Sequence, residues 1–334
     1  MRILGQDLAL DLGSASTQIY VRKRGIVINE PSLVVRSGAT GKLVGFGAEK
    51  PVQTGEDEPE AIRPVSGGVP VDKELTRRML RHFLRKVHGH PWSRPRMVFA
   101  LPSDATGMVR DLLQDLAYQA EARRVYLVQH GLAAALGAGV PVRDAAASMV
   151  IDVGCETTRI AVLSFGAVVC AATVQAGGAD VNRALAAQIR RDHGLDIDEH
   201  AAELAKRSIG TAWKPVRRKA SVRGHDPGGR GAAIVSISAE QVYEATKQPV
   251  RAIVRTAVRC VESCSGDLAA DVADRGVVLT GGGALMRGLA RRLRAELGVP
   301  VQRAERPIEA VALGLGRCVD DLGLIGKDLA PTRR

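Results

Sequence analysis

Asp11-Leu-Gly-Ser-Ala-Ser-Thr-Gln-Ile-Tyr-Val21 is matched, at a constant offset of 141, by Asp152-Val-Gly-Cys-Glu-Thr-Thr-Arg-Ile-Ala-Val162. Both copies follow an apolar run, Leu8-Ala-Leu10 and Met149-Val-Ile151. Both continue into an alternating segment that reads as the return arm of a β-hairpin. Either copy alone is an ordinary tight turn. Two in register, half a chain apart, predict a duplicated domain with one turn from each half facing a shared ligand.

The residue types suit a nucleoside triphosphate. Gly and small hydroxyl residues let backbone N–H groups approach phosphate oxygens without side-chain obstruction. An Asp closing each preceding strand, Asp11 and Asp152, can hold Mg²⁺ through water, because Mg²⁺ keeps much of its hydration shell.

The 334 residues suffice for two domains, each with its own core. Aromatic residues are only 3% of the chain, so those cores must be built from Leu, Val, Ile and Ala. No stretch approaches the ~20 apolar residues of a spanning helix. The first strand begins almost at once, so no signal peptide is expected. The five cysteines, Cys155, Cys170, Cys260, Cys264 and Cys318, are scattered and odd in number. They do not read as a disulfide framework, and a reducing cytosol is the simplest compartment. Cys260 and Cys264 lie four apart on a predicted helix without a second ligand pair, so no metal is expected there.

The net charge of +11 fits an Arg-rich solvated surface, an anionic membrane surface or nucleic acid. Basic residues cluster at Arg77, Arg78, Arg81, Arg85 and Lys86, at 214–223, and at 287–294. No aromatic residues interleave with them to stack bases, so nucleic acid is not expected as the main partner.

Local patterns fill in the frame. Lys73–Val87 predicts an amphipathic helix with Leu75, Met79, Leu80, Phe83, Leu84 and Val87 on one face. Met97–Leu101 and Val125–Val128 read as strands. Ser103 or Asp104 is placed to cap a helix running to about Ala120, with Met108, Leu112, Leu113 and Leu116 inward. The small residues at 132–139 predict a helix that packs very closely on a neighbour. Residues 31–70 and 213–232 read as loop-rich insertions, Val250–Cys264 as a helix, and Gly276–Thr280 as a strand. Gly281-Gly282-Gly283 breaks that strand before an amphipathic helix carrying Leu285, Leu289, Leu293 and Leu297. Pro307 suits the first turn of a last helix. The order implies an α/β fold with two similar domains.

At this point the residues resemble the actin-like ATPase superfamily, and within it the bacterial MreB/Mbl family, from end to end. Asp11–Thr17 resembles the first phosphate loop, and Gly25-Ile-Val-Ile-Asn-Glu-Pro-Ser32 follows it as in that family. Arg63–Val69 resembles the segment before the family's first long helix. Gly177-Gly178-Ala-Asp180 resembles its Gly-Gly-Asn-Asp turn, and Thr280–Leu285 its adenosine loop. Ala304–Pro307 with Ala310–Gly314 resembles its last helix. The resemblance implies an actin-like ATPase fold: two duplicated RNase H-like α/β domains around a nucleotide cleft, each with a small insertion. Domain I would be 1–140 plus 306–334, with its insertion at about 31–64; domain II would be 141–305, with its insertion at about 181–245.

The resemblance also implies the ligand set. ATP and Mg²⁺ would be the cofactors, with Asp11 and Asp152 on the metal. Gly13, Ser14, Ala15, Ser16 and Thr17 from the first loop, and Gly154, Cys155, Glu156 and Thr157 from the second, would face phosphate, with Gly178 near them. Gly281, Gly282, Gly283, Ala284 and Leu285 would lie against adenine and ribose. Glu203, Lys206 and Arg207 would contact them from the other side, a stretch that also resembles DnaK-like chaperones; an exposed i,i+3 ion pair is the alternative.

Two departures matter. Typical members read Glu-Glu-Pro-Met before the small-residue helix, the second Glu orienting the attacking water. This chain reads Gln129-His130-Gly131-Leu132, so His130 takes that place, as a general base or simply as a packing residue. The second loop carries Cys155 and Glu156 where the family has glycines. A carboxylate near the γ-phosphate repels it unless it turns away or pairs, and Arg159 is the candidate partner. The expectation is nucleotide binding with slow hydrolysis or none. Trp92, in His90-Pro-Trp-Ser93, is an interfacial anchor or a buried ring.

The implied function is a membrane-associated, filament-forming cytoskeletal protein, cytoplasmic and peripheral at the inner face of the plasma membrane. Its partners would be itself, anionic lipid and the cell-wall elongation machinery, and it would determine cell shape. The alternative is a degenerate actin-like scaffold that binds partner proteins without cycling ATP. A sugar kinase lacks an evident Asp base here, and a DnaK-like chaperone would need a substrate domain after the ATPase.

Overall fold

Alternating apolar residues on either side of Gly13 pair β1 (Leu8–Leu12) with β2 (Ser16–Val21) in antiparallel register, Leu8 opposite Val21 and Leu12 opposite Thr17. This hairpin starts the first sheet of a computed structural model that describes residues 6–49, 59–88, 94–229 and 231–324. β3 (Gly25–Pro31) continues the meander beyond β2. Short strands β4 (Val34–Arg36), β5 (Leu43–Phe46) and β6 (Glu60–Ile62) form a separate three-stranded sheet, and β7 (Val65–Ser66) pairs with β8 (Val69–Pro70). α1 (Lys73–Val87) then leads to β9 (Arg96–Leu101), α2 (Gly107–Gln119), β10 (Arg124–Gln129) and α3 (His130–Gly137). β9 and β10 lie parallel to β1, giving the order β10-β9-β1-β2-β3.

The second half repeats the plan. β11 (Ser148–Val153), β12 (Thr158–Ser164) and β13 (Ala167–Val174) form the meander, followed by α4 (Gly178–His193) and α5 (Glu199–Ile209). The hairpin β14 (Lys219–Asp226) with β15 (Gly231–Ser238) leads to α6 (Ala239–Glu262) and α7 (Gly266–Arg275). β16 (Val277–Thr280), α8 (Leu289–Leu297) and β17 (Val301–Arg303) complete it. The sheet order is β13-β12-β11-β16-β17, with β16 parallel to β11 and to β17. Strand for strand this is the first sheet again. α9 (Ala310–Asp320) returns to the first half.

The chain divides into two compact units. One comprises Met1–Asp144, Leu163–Val168 and Glu309–Arg334; the other comprises Ala145–Val162 and Val169–Ile308. The first core packs Leu8, Leu10, Ile19, Met79, Phe83, Phe99 and Leu127. The second packs Met149, Ile151, Ile160, Val254, Leu279 and Leu293. Within the first unit α3 and α9 touch backbone to backbone. A Cβ on Gly137 would fall on the Ala310 carbonyl, and one on Gly314 on that of Ala133, so the small residues are a condition of the crossing.

Several expectations need correction. α2 starts at Gly107, not near Ser103. Pro102–Ala105 form a turn closed by Ala105 N–H to Pro102 O (3.1 Å), and Thr106 supplies the cap. Met108 thus falls in the first helical turn and is 80% exposed, whereas Leu113 and Leu116 are buried. Residues 219–226 are a strand rather than a loop. Along them Lys219, Ser221, Arg223 and His225 point outward, while Val222, Gly224 and Asp226 are buried. So few apolar residues line the inner face that composition masks the alternation. α6 begins at Ala239, capped by Ser238 with Gln241, and continues through Pro249. Burial of Ala245, Thr246, Pro249, Val250 and Ile253 on one face outweighs the helix-breaking tendency of proline. Leu285 belongs to a 3₁₀ turn (Gly282–Leu285) and is exposed; the α-helix behind it starts only at Leu289. Residues 50–58 of the 31–70 stretch, and Trp92, lie outside the described residues.

Candidate functional site

The two Asp-x-Gly turns close in the same way. Gly13 N–H donates to Ser16 O at 3.0 Å, and Gly154 N–H donates to Thr157 O at 2.9 Å. A Cβ on Gly13 would stand 2.8 Å from Ser16 O, and one on Gly154 2.9 Å from Thr157 O. Neither position accepts a side chain without a backbone shift. The tips left by this closure are Ser14–Ala15 and Cys155–Glu156.

Hydroxyl groups brace the first turn. Ser32 Oγ donates to Gly13 O (2.6 Å), so the 2.8 Å contact between Thr17 Oγ1 and Ser32 Oγ has Thr17 as donor. Ser32 N–H bonds Ala15 O (3.0 Å), and Gly67 N–H bonds Ser14 Oγ (2.8 Å). Thr17 and Ser14 are buried, whereas Ala15 is exposed and Asp11, Gly13 and Ser16 are half-buried. His130 is the first residue of α3 and is buried. Because β1, β9 and β10 are parallel, it follows β10 on the same sheet edge at which Asp11 precedes its turn. That edge, beyond the carboxyl ends of parallel strands, is where open α/β sheets bind ligands.

A helix braces the second turn. The first amides of α4 are used here: Gly178 N–H bonds Gly154 O (3.0 Å) and Ala179 N–H bonds Cys155 O (2.7 Å). Lys206 Nζ bonds Gly178 O (3.1 Å) and pairs with Glu203 Oε2 at 2.5 Å. Glu203 also accepts from Asn182 Nδ2 (2.9 Å) and Arg207 Nε (2.7 Å). Partial burial pushes the Glu203 carboxyl up, but the hydrogen bonds from Lys206 and Asn182, the Lys206 charge and the Arg207 bond outweigh it and hold the group down at about 2. Glu203, Lys206 and Arg207 therefore form a charged buttress reaching the turn, not an exposed i,i+3 pair. Thr157 and Arg159 are buried, and Arg159 Nη1 donates to Thr157 Oγ1 (2.7 Å); Cys155 and Glu156 are half-buried.

The triple glycine lies beside this turn. Gly281 has φ +78°, and a Cβ on Gly281 or Gly283 would fall on Val153, the residue before Gly154. Gly281 N–H bonds Pro307 O (2.7 Å), Gly282 has open space around it, and Ala284 is buried. Asp152 is 6% exposed and accepts from Thr280 Oγ1 at 2.8 Å. In the second unit, hydrogen bonds and close backbone contacts thus link Asp152, residues 154–157, Gly178, Glu203–Arg207 and the 281–285 loop. The first unit gathers residues 11–17 with Ser32 and Gly67.

Three partners escaped the sequence reading. Thr280 holds Asp152 from 128 residues away. Asn182, 5% exposed, holds Glu203 and keeps its own Oδ1 buried without a hydrogen-bond partner. Ser32 ties three atoms of the first turn. Thr280 and Ser32 stand inside the motifs quoted above, so their positions, though not their contacts, were in view.

The donor set suits Mg²⁺ held largely by water and phosphate. Taken by itself, each turn offers one carboxylate, a hard oxygen ligand of the kind Mg²⁺ takes with water filling its other positions.

The model of the MreB/Mbl protein family matches residues 5–327. The cell shape-determining protein MreB of Escherichia coli (strain K12) is 38% identical over 336 residues, 98% of this chain and 97% of that one. The chain belongs to the MreB/Mbl family. MreB 5 of Spiroplasma citri, solved bound to AMPPNP, superposes with a TM-score of 0.89 at 26% identity, over 96% of this chain and 97% of that one. A MamK double helical filament matches at a TM-score of 0.76 and 19% identity, over 94% and 99%. The MreB/Mbl chain therefore has the actin-like fold, and the repeated sheet order is that fold's duplication. No helix among its described residues is long and apolar enough to cross a membrane.

Proposed function

We propose that this MreB/Mbl protein binds ATP with Mg²⁺ and assembles into filaments at the inner face of the plasma membrane, where it guides cell-wall synthesis and so determines cell shape. The observation that carries the nucleotide reading is the repeated turn, with one closing hydrogen bond in both copies. Its relatives agree: the Escherichia coli protein is named as cell shape-determining, the Spiroplasma citri protein holds AMPPNP, and MamK forms a double helical filament.

The tips of the two turns would receive phosphate oxygens, and the open backbone at Gly282 the nucleoside. Asp11 and Asp152 would hold Mg²⁺ through water, and the metal would neutralise phosphate charge. His130 would stand in the place of the water-orienting Glu. Its lack of a fixed negative charge, with Glu156 at one tip, favours slow turnover. The basic surface favours anionic lipid, although part of it is internally paired. Arg77 and Arg78 bind Glu74, and Lys86 binds Glu30 and Glu49.

A scaffold that no longer cycles ATP is the second reading, favoured by the Cys155–Glu156 tip. Sedimentation with ATP, ADP and no nucleotide, with phosphate release measured on the same samples, separates the two. Pelleting that requires ATP, with slow phosphate release, supports the proposal. Pelleting indifferent to nucleotide, with no nucleotide retained, supports the scaffold. Turnover as fast as that of the Escherichia coli MreB assayed in parallel refutes slow hydrolysis.

A further inference from the structure

Three of the five cysteines converge in the second unit. Cys170 lies on β13, the edge strand of the second sheet, and its side chain is on the face that packs against the core with Ala172 and Val174. Cys260 is in the last turn of α6 and is buried. Cys264 follows that helix. The Cys170 and Cys260 sulfurs are 3.6 Å apart, although 90 residues separate them in sequence. Cys170 Sγ also lies 3.3 Å from Ser263 Oγ, and Cys264 Sγ donates to Cys260 O at 3.2 Å. All are free thiols.

We infer that Cys170 and Cys260 are a redox-active dithiol, a site at which a low-molecular-weight disulfide such as oxidised glutathione installs an intramolecular disulfide between β13 and α6. Closing the sulfurs from 3.6 Å to bonding distance, about 2.05 Å, asks for a movement of about 1.5 Å. An edge strand and a terminal helical turn can supply that movement.

Exposure decides the order of events. Cys170 is half-buried and reachable, whereas Cys260 is enclosed. Burial, and secondarily the neighbouring Cys170, pushes the Cys260 thiol well above the ordinary thiol range. The thiolate is the nucleophile. Cys170 therefore gives up its proton and attacks the small disulfide, whose S–S bond breaks and releases one small thiolate. Cys260 then loses its proton and attacks the Cys170 sulfur of the mixed disulfide, releasing the second small thiolate. The two released thiolates take up the two protons. The protein pair is oxidised by two electrons and the small disulfide is reduced by two. Cys264, pushed up to about 11 by burial and then by Cys170, stays a thiol beside the bond.

The test uses the full chain, equilibrated with graded ratios of oxidised to reduced glutathione and then alkylated and mapped under non-reducing conditions. The expected result is one peptide pair joined through Cys170 and Cys260, loss of two titratable thiols, and a Tm raised by about 5 °C or more through the long loop closed. Cys264→Ser should keep the bond. Cys260→Ala should stop the sequence at a glutathionylated Cys170, and Cys170→Ser should leave Cys260 unmodified. Circular dichroism on each variant establishes that it is folded; if Cys260→Ala does not fold, Cys260→Ser takes its place. Five free thiols at every glutathione ratio overturn the proposal, and so does a link through Cys264, Cys155 or Cys318, or between two chains.

Discussion

The two phosphate-type turns are alike in closure and unlike in bracing. Gly13 and Gly154 make the same hydrogen bond at nearly the same distance, 3.0 and 2.9 Å. Yet the first turn is held by neutral hydroxyls, Ser32, Thr17 and Ser14, and the second by the amides of α4 and a chain of charges running Gly178–Lys206–Glu203. Duplication conserved what the backbone requires. What surrounds the backbone diverged, down to the tips, Ser14–Ala15 against Cys155–Glu156. Closure is thus a property of the fold and bracing a property of each copy.

The largest expected effects fall on what is shared. Gly13→Val and Gly154→Val each force a side chain against a carbonyl oxygen, at 2.8 and 2.9 Å for the Cβ alone. Each should cost about 3 kcal/mol, the upper end for overpacking, read as a lowered midpoint in urea. If one variant is harmless and the other is not, the equivalence of the two closures is wrong. Next comes the carboxylate behind the second turn. Thr280→Val removes the hydroxyl that holds buried Asp152 and should cost about 2 kcal/mol, as for hydrogen bonds to charged groups. Fluorescent-nucleotide titration should show weaker Mg²⁺-dependent binding by the same variant. Unchanged stability would mean that water replaces Thr280 without loss.

The tips separate the copies directly. Glu156→Gly removes a carboxylate and should tighten ATP binding about tenfold, or 1.4 kcal/mol, the scale of one charge pair near a protein surface. Ala15→Glu places a carboxylate at the exposed tip of the first turn and should weaken binding by a similar factor. Equal affinities for Glu156→Gly and the unaltered chain would show that Glu156 is already neutralised or turned away, and would leave His130 as the ground for the proposed slow turnover.

The closures were legible in the sequence because they depend on residues that only Gly and small side chains satisfy, at fixed spacing. The duplication of the α/β unit followed from the same repeat; the strand order within each sheet came only with the structure. The bracing was not legible, because each brace joins residues far apart: Thr280 to Asp152, Asn182 to Glu203, Ser32 to Gly13. Spacing alone reads Glu203 and Lys206 as a surface pair. Only packing of α5 on α4 reveals that Lys206 is nearly buried, its side chain 12% exposed. The β14–β15 hairpin was missed for a local reason, since its inner face carries Gly224 and Asp226 where a strand pattern calls for apolar residues. Pro249 hid the first half of α6 because buried neighbours on one face overrule its intrinsic cost.

The smallest expected effect tests whether charge really supports one turn and not the other. Glu203 titrates at about 2 in the folded chain against an ordinary 4.5, so its folded pKa is depressed. A depressed carboxylate contributes stability that is fully present above the unfolded value and is lost as pH falls toward the folded one. The window is therefore between about 4.5 and about 2. The full shift corresponds to about 3 kcal/mol, but the side chain is 29% exposed, and solvent screening reduces the contribution to about 1 kcal/mol. Glu203→Gln keeps an acceptor and removes the charge. At pH 7 it should melt below the unaltered chain, and the gap should narrow as pH falls from 4.5 toward 3. Ser32→Ala, which removes a hydroxyl from the first turn, should open a gap that does not change over the same range. If the Glu203→Gln gap is also constant with pH, the buttress acts by geometry alone, and the two turns differ in their partners but not in the kind of force that holds them.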